Sequence, residues 1–316
     1  MAKLVERVTQ SFTDVKLWGR NSKIFVLTET LYGIPMQWVW FYQGIFMINL
    51  GMDEMLIGFT AMLPLLFQIF MPILGGHLAD KYGRKPILIA FDTIAGIGAL
   101  FVWLIATEVW QAILAVALQA LSATILAVRE AVQIEDTESS YRVSIYSLVT
   151  SVYLLGGILT PIAGALISLY GVIQGCRYVF LITLVSLMIM LITRQMYLTK
   201  SKLGSLFPSS NNEGLLRSEG YKETLEVVAE HRKLLTFFIL VVIGNMQFPL
   251  VNTFRPLYLI DAKALALDEG IASIVPMASS VPSLIALSFL IPRLKHKHMR
   301  KALVFSYLCS ILGLIT

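Results

Sequence analysis

Apolar stretches long enough to cross a lipid bilayer recur along this chain of 316 residues. Nine of them can be marked: 24–48, 56–76, 87–107, 110–132, 144–168, 175–198, 234–260, 270–292 and 302–316. All but the last are about as long as the ~20 residues that a helix needs to cross a hydrocarbon layer of ~30 Å. Because backbone groups in lipid have to bond within their own segment, the stretches predict membrane-spanning helices and not buried strands.

The composition excludes an ordinary water-soluble protein. Hydrophobic residues make up 57% of the chain and charged residues only 14%, and the mean hydropathy is +0.75. A soluble domain needs more charge than this to cover its surface. We therefore predict an all-α polytopic membrane protein whose first partner is the lipid bilayer.

The basic residues are concentrated in the N-terminal tail and in alternate loops. Of the 25 Lys and Arg residues, 21 lie in the segments 3–23, 81–85, 142, 194–233 and 293–301. Positively charged loops stay on the cytoplasmic side, so we predict a multi-pass protein of the cell membrane with a cytoplasmic N-terminus. The net charge of +5 then reflects topology, and we favour this over nucleic-acid binding.

The most specific motif lies between the second and third apolar stretches. Residues 75–86 read Gly-Gly-His-Leu-Ala-Asp-Lys-Tyr-Gly-Arg-Lys-Pro. Small residues allow two helices to approach closely, and Asp80 and Arg84 would lie one helical turn apart, where they can pair. The motif resembles the loop between the second and third helices of major facilitator superfamily (MFS) transporters, Gly-x-Leu-Ala-Asp-x-x-Gly-Arg-Lys.

The resemblance covers nearly the whole chain. Residues 135–137, Glu-Asp-Thr, followed by Arg142, look like the family's loop after helix four, and residues 156–164, Gly-Gly-x-x-x-Pro-x-x-Gly, are similar to its fifth helix. The resemblance implies an MFS-like six-helix N-terminal bundle followed by a partial second bundle. Family members usually have twelve helices, so nine predict a chain that is truncated at its C-terminus.

Four segments are expected along the chain. They are a cytoplasmic leader at 1–23, a six-helix bundle at 24–198, a cytoplasmic linker with an amphipathic helix at 199–233, and a partial bundle at 234–316 whose third helix is incomplete. Ser, Asn and Gly in 203–220 indicate the linker.

The charged loops are the candidate gate of the resemblance. Asp80 could pair with Arg84 or with a basic group of the other half, closing the cytoplasmic side. The alternative is that the loop's positive charges only fix the topology. The candidate gating residues are Gly76, Asp80, Gly83, Arg84, Lys85, Glu135, Asp136 and Arg142.

An internal repeat points to a candidate cavity. Leu50–Glu54 is echoed by Leu265–Glu269 at an offset of 215 residues, which also places Gln37 on Asn252. Transporter folds are built from such repeats around a midplane site. The candidate cavity residues are Gln37, Trp40, Asn245, Asn252 and Arg255. The alternative is that such groups only bond helices together, which we favour for Gln119 and Ser122.

Three carboxylates are candidates for proton coupling: Glu29, Glu130 and Asp92. A charge within the membrane costs ~2.5–3.5 kcal/mol on insertion scales, so such residues usually have a function or a partner. Glu29 is the best candidate. For Asp92 we favour pairing with the basic residues of the loop, while Arg129 and Glu130 could also snorkel or pair with Glu135 and Arg142.

No constellation for catalysis, metal binding or cofactor binding is visible in the sequence. His296 and His298 lack a third ligand, and we predict neither an enzyme nor a cofactor. The predicted function is secondary-active transport of a small organic solute by alternating access, with a possible proton coupling. The alternative is a non-transporting truncated membrane protein, either a gene fragment or an interaction scaffold.

Overall fold

The computed structural model describes residues 15–199, 231, 235–236 and 251–289. Within these ranges the chain consists of helices joined by short turns, and no strand occurs there. The all-α prediction is confirmed. Most of the predicted linker, Asn245 and the ninth apolar stretch lie outside the described residues.

Six helices form the first bundle: α1 (Arg20–Asn49), α2 (Glu54–Tyr82), α3 (Arg84–Ile105), α4 (Val109–Ile134), α5 (Ser139–Tyr170) and α6 (Val172–Tyr197). Each coincides with one of the first six apolar stretches. Two further helical segments are described, α7 at 251–260 and α8 at Ile271–Ser288.

Helices α2 to α6 and α8 are each long and apolar enough to cross a membrane. Helix α1 differs, because its 30 residues would span about 45 Å but include polar side chains such as Gln37 and Gln43. It packs mainly against α5 and α6, and a large part of its surface is buried. Protein rather than lipid therefore surrounds much of α1.

Glycine decides where α2 ends and α3 begins. Gly83 has a φ of +91°, which favours glycine because a side chain would crowd the backbone there. Asp80 ends up in the last turn of α2, while Arg84 is the first residue of α3. The predicted spacing of one helical turn between Asp80 and Arg84 is therefore wrong, because the two residues lie on different helices.

Two helices depart from regular α geometry where they face each other. Helix α3 contains a π-helical segment, Asp92–Gly98, and α4 contains a 3-10 segment, Leu121–Ile125. Gly75 of α2 packs directly on the carbonyl oxygen of Thr124, and a Cβ atom at position 75 would overlap that oxygen. Such irregular segments often occur at functional sites.

An aromatic core fills the bundle near the ends of α1 and α3. Phe46, Trp103 and Phe180 are fully buried, with ring centroids 5.2–5.9 Å apart. Aromatic contacts of this kind contribute about 0.5–1.5 kcal/mol beyond their buried area. They fasten α1, α3 and α6 together.

Small residues bring α8 close to α5. A Cβ atom at Gly157 would lie 3.2 Å from the Cβ atom of Ser280, and one at Gly164 would lie 2.8 Å from that of Ser273. Near the same end, the hydroxyl of Tyr42 donates to the carbonyl oxygen of Glu269 at 3.1 Å. These contacts join the first bundle to α8 in the half that is distant from Arg84.

The close approach of α2 to α4 gives a first prediction. Gly75→Ala should lower the free energy of unfolding by about 1–3 kcal/mol, because the new methyl group forces the two backbones apart. Gly58→Ala, on the same helix, is the matched control: its Cβ would meet only Phe254, at 3.5 Å. Thermal unfolding of the purified protein measures both variants. Equal stability of the two variants would contradict the close approach.

Candidate functional site

Four charged side chains meet inside the first bundle. They are Glu29 of α1, Asp92 of α3, Arg129 of α4 and Arg194 of α6, and we call them the charge cluster. Their side chains are 1%, 4%, 13% and 0% exposed, respectively. Charges at this depth are retained only when they are paired, because desolvation costs several kcal/mol per ion.

Each arginine of the charge cluster bridges both carboxylates. Arg194 contacts Glu29 Oε2 through Nη2 at 2.6 Å and Asp92 Oδ2 through Nη1 at 3.4 Å. Arg129 contacts Asp92 Oδ1 through Nη2 at 2.5 Å and Glu29 Oε1 through Nη1 at 3.6 Å. Two positive and two negative charges thus form a closed, neutral ring.

Neighbouring side chains complete the coordination of Glu29 and Arg194. The hydroxyl of Tyr153, on α5, donates to Glu29 Oε1 at 2.6 Å. Arg194 Nε donates to Thr28 Oγ1 at 2.9 Å, and its guanidinium lies 4.2 Å from the ring centre of Phe25. Such contacts further stabilise desolvated charges.

The charge cluster changes the interpretation of several predicted residues. The expectation that Asp92 pairs with the basic residues of the α2–α3 loop is wrong, since its partners are Arg129 and Arg194. Arg129 reaches inward to the cluster and stacks on Tyr32 at 4.5 Å. Glu130, by contrast, is exposed. The pattern of charges gave the candidates, but not their partners.

A cavity of about 180 Å³ lies between α1, α2, α4 and α7. We call it the main cavity, and its polar and aromatic lining includes Trp40, Gln43, Gln68, Gln119, Ser122 and Asn252. A side cavity of about 50 Å³ shares Trp40, Gln119 and Ser122 with it and reaches Tyr32 and Asp92. The charge cluster therefore adjoins the space that a solute could occupy.

The structure places the predicted cavity residues differently. Trp40 and Asn252 lie in the wall of the main cavity. Gln37 packs instead at the crossing of α1 and α5, where a Cβ atom at Gly156 would lie 2.8 Å from its Cγ. Arg255 is half-buried on α7 and is not part of the lining.

Sequence reasoning missed part of the wall. Gln119 and Ser122 line both cavities, although the sequence favoured a role for them in hydrogen bonding between helices. Gln43 and Gln68 were not predicted. Gln43 follows Trp40 by three residues and so lies on the same face of α1, which is the signal that could have found it.

An aromatic contact links the main cavity to the charge cluster. The ring of Trp40 stacks on Tyr153 with the ring centroids 6.1 Å apart and the planes 11° from parallel. Tyr153 in turn donates its hydroxyl hydrogen to Glu29. A displacement of Trp40 would therefore shift Tyr153 and, through it, the hydrogen bond to Glu29.

The basic end of the bundle, where Arg84, Lys85 and Arg142 lie, is held by contacts between neighbouring loops. Arg84 forms an ion pair with Glu135, at the end of α4. Lys85 Nζ donates to the carbonyl oxygens of Gln195 and Leu198, each at 2.7 Å. A cation at this position also complements the negative end of the α6 dipole.

Asp136 caps the N-terminus of α1 from another loop. It accepts from the backbone N–H of Asn21 at 2.6 Å and of Ser22 at 3.2 Å, and from the hydroxyl of Ser22 at 2.7 Å. Thr137 adds a bond from the N–H of Gly19 at 2.9 Å. Side-chain acceptors satisfy helix N–H groups that would otherwise lack partners.

The remaining predicted gating residues are less engaged. Asp80 and Arg142 are exposed, and Gly76 is half-buried on α2. Within the part of the chain that the structure describes, the ion pairs and bonds of Arg84, Lys85, Glu135 and Asp136 all stay inside the first bundle. In this described part of the chain, the α2–α3 motif contacts other segments of the first bundle.

Six of the described helices are long and apolar enough to cross a membrane, which defines a multi-pass integral membrane protein. Residues 25–316 match the sequence model of the Major Facilitator Superfamily. The chain belongs to the Major Facilitator Superfamily, as its α2–α3 motif predicted. A search of curated proteins found no match.

The charge cluster generates a second prediction. Arg194→Gln should lower the free energy of unfolding by about 3–5 kcal/mol, because it leaves two buried carboxylates with one cation. In the double variant with Glu29→Gln, the charges are balanced again, and a large part of the loss should return. Arg142→Gln, at an exposed position, is the control and should change little.

Thermal or denaturant unfolding in detergent measures the wild type, the Arg194→Gln and Glu29→Gln single variants, their double variant and the Arg142→Gln control. A double variant that is as unstable as the sum of its single variants would contradict the coupling of Glu29 and Arg194.

Proposed function

We propose that this protein is a secondary-active transporter that moves a small organic solute across the membrane by alternating access. The observation that carries the proposal is the position of the main cavity, which is enclosed by α1, α2 and α4 of the first bundle and by α7 of the second half. A site between two halves changes its exposure when the halves rock against each other.

The contacts between the halves support this proposal. Helix α8 lies close to α5 through Gly157 and Gly164, and Tyr42 bonds to the carbonyl of Glu269. These contacts lie away from the basic end, which the charge distribution predicts to be cytoplasmic. These contacts favour a state in which the pathway between the halves is closed on the outer side and can open to the cytoplasm.

We propose that the basic end acts as part of the gate. The pair of Arg84 with Glu135 and the bonds of Lys85 to the end of α6 hold α3, α4 and α6 as one body. A body that moves as a unit can close a pathway in one step. The exposed carboxylate of Asp80 is available to a basic group of the second half.

Proton coupling through Glu29, Asp92 or Glu130 stays a prediction. Glu29 and Asp92 each contact two guanidinium groups. Protonation of either carboxylate would leave a net positive charge in a buried site, which is costly unless the arginines rearrange. A coupled proton would therefore have to act together with a movement of α4 or α6.

A third prediction tests access to the main cavity. In a background with Cys176 and Cys309 replaced by Ala, Ser122→Cys should react with a membrane-impermeant thiol reagent, because Ser122 lines the cavity. Ser186→Cys is the control: the hydroxyl of Ser186 bonds to the carbonyl of Leu31 between α6 and α1, so this position should react slowly.

Sided membrane vesicles distinguish the two faces of the membrane. We expect position 122 to react from both faces. After oxidation of a Gly157→Cys/Ser280→Cys pair, reaction from the face opposite the basic end should stop. The Cβ separation of 3.2 Å lies close to the ~3.5–4.5 Å of disulfides. A position 122 that reacts from neither face would favour a non-transporting protein.

A fourth prediction tests the gate. In the Ser122→Cys background, Glu135→Gln should raise the rate of reaction from the basic end by about 1.4- to 5-fold, the range that corresponds to a pair of ~0.2–1 kcal/mol at a partly exposed site. Glu138→Gln, at an exposed position in the same loop, is the control. The exchanged pair Arg84→Glu/Glu135→Arg should restore the original rate, and an unchanged rate in Glu135→Gln would rule out a gating role.

A further inference from the structure

Among the described residues, each of the four helices that line the main cavity contributes one carboxamide. Gln43 comes from α1, Gln68 from α2, Gln119 from α4 and Asn252 from α7. A carboxamide offers two N–H donors and a carbonyl acceptor, so each can bond to a hydroxyl group in either direction. Four helices thus present the same adaptable chemistry to a shared space.

One of these amides carries an unsatisfied acceptor. Gln43 Oε1 is buried and has no hydrogen-bond partner among the described residues. A buried acceptor without a donor costs about 1–3 kcal/mol. Its position in the cavity wall indicates that an O–H or N–H group of a bound molecule completes it.

The carboxylate that borders the side cavity is already paired. Asp92 borders the side cavity, but both of its oxygens contact arginines of the charge cluster. A charged solute in the side cavity would have to compete with these ion pairs. Gln43 Oε1 of the main cavity, in contrast, can accept a bond from an uncharged polar solute without breaking an ion pair.

Shape adds a further requirement. Trp40 borders both cavities and gives the wall an apolar aromatic surface beside the amides. The volume of about 180 Å³ is smaller than the ~300–1,000 Å³ of pockets for drug-sized ligands, which limits the occupant to a small molecule. A compact ring with hydroxyl groups at its edge and C–H groups on its faces satisfies both the amides and the indole.

Resting on the transport function proposed above, we propose that the substrate is an uncharged, hydroxyl-rich organic solute. Gln43, Gln119 and Asn252 determine its specificity by hydrogen bonding, and Trp40 packs against its carbon face. A competing solute that offers neither an O–H nor an N–H group to Gln43 Oε1 leaves that acceptor unpaired, which is the physical basis of the selection.

The test uses three probes with the same ring and different charge. D-glucose is neutral, D-glucosamine is a cation and D-glucuronate is an anion, and myo-inositol serves as a second neutral probe. Binding to the purified full chain is followed by the rise in thermal stability, which depends on ligand affinity. We expect at least one neutral probe to bind about tenfold or more tightly than either charged probe, which corresponds to ~1.4 kcal/mol.

Variants then locate the binding. Gln43→Leu and Gln119→Leu should each weaken binding of the neutral probe by about 2- to 13-fold, the equivalent of a hydrogen bond of ~0.5–1.5 kcal/mol. Gln133→Leu is the matched control, because Gln133 is buried on α4 and does not line the cavity. In the Ser122→Cys variant, protection of the introduced thiol by the neutral probe provides a readout that needs no substitution at the glutamines.

Three outcomes would overturn the proposal: a charged probe that binds as tightly as the neutral probes, no binding by either neutral probe, or equal effects of the Gln43 and Gln133 substitutions. These outcomes are distinct from a failure of the transport proposal. If the thiol introduced by Ser122→Cys reacts from both faces and no neutral probe binds, transport stays supported and the substrate class is wrong.

Discussion

Pairing of buried charges is the constraint on which the rest of the first bundle depends. Arg129 and Arg194 can remain in the bundle only where two carboxylates compensate them, and Glu29 and Asp92 are the carboxylates that do so. Since the four residues come from four helices, the relative rotation and height of those helices are restricted together. Apolar contacts between helices in lipid are far less selective, because lipid tails and side chains are equally apolar.

This pairing also shapes the adjoining cavities. Asp92 reaches the side cavity without presenting an uncompensated charge there. The stacked pair of Trp40 and Tyr153 connects the main cavity to Glu29. The main cavity and the charge cluster are therefore connected through two side chains that contact each other, Trp40 and Tyr153. Such a connection couples two sites when it has two arrangements and each site shifts the equilibrium between them.

The two ends of the first bundle differ in how they are held. At the basic end, ion pairs and helix caps connect the loops, as Arg84 with Glu135 and Asp136 with the start of α1 show. Toward the opposite end, α5 meets α8 through small residues such as Gly157 and Gly164. Surfaces of small residues can slide or separate with little loss of specific bonding, whereas a capped loop moves as part of its bundle.

The sequence by itself determined the number and position of the described helices, because hydropathy over about 20 residues is a local property. It also marked the turn at Gly83 and the family to which the chain belongs. Only the tertiary structure decided the partners: Asp92 lies 37 residues from Arg129 and 102 from Arg194, and Gln43 rather than Gln37 lines the cavity. The irregular turns of α3 and α4 likewise depend on packing, because the contact of Gly75 with Thr124 exists only once the helices have assembled. Local sequence sets which segments enter the membrane, but the choice among charged partners is made by the geometry between helices.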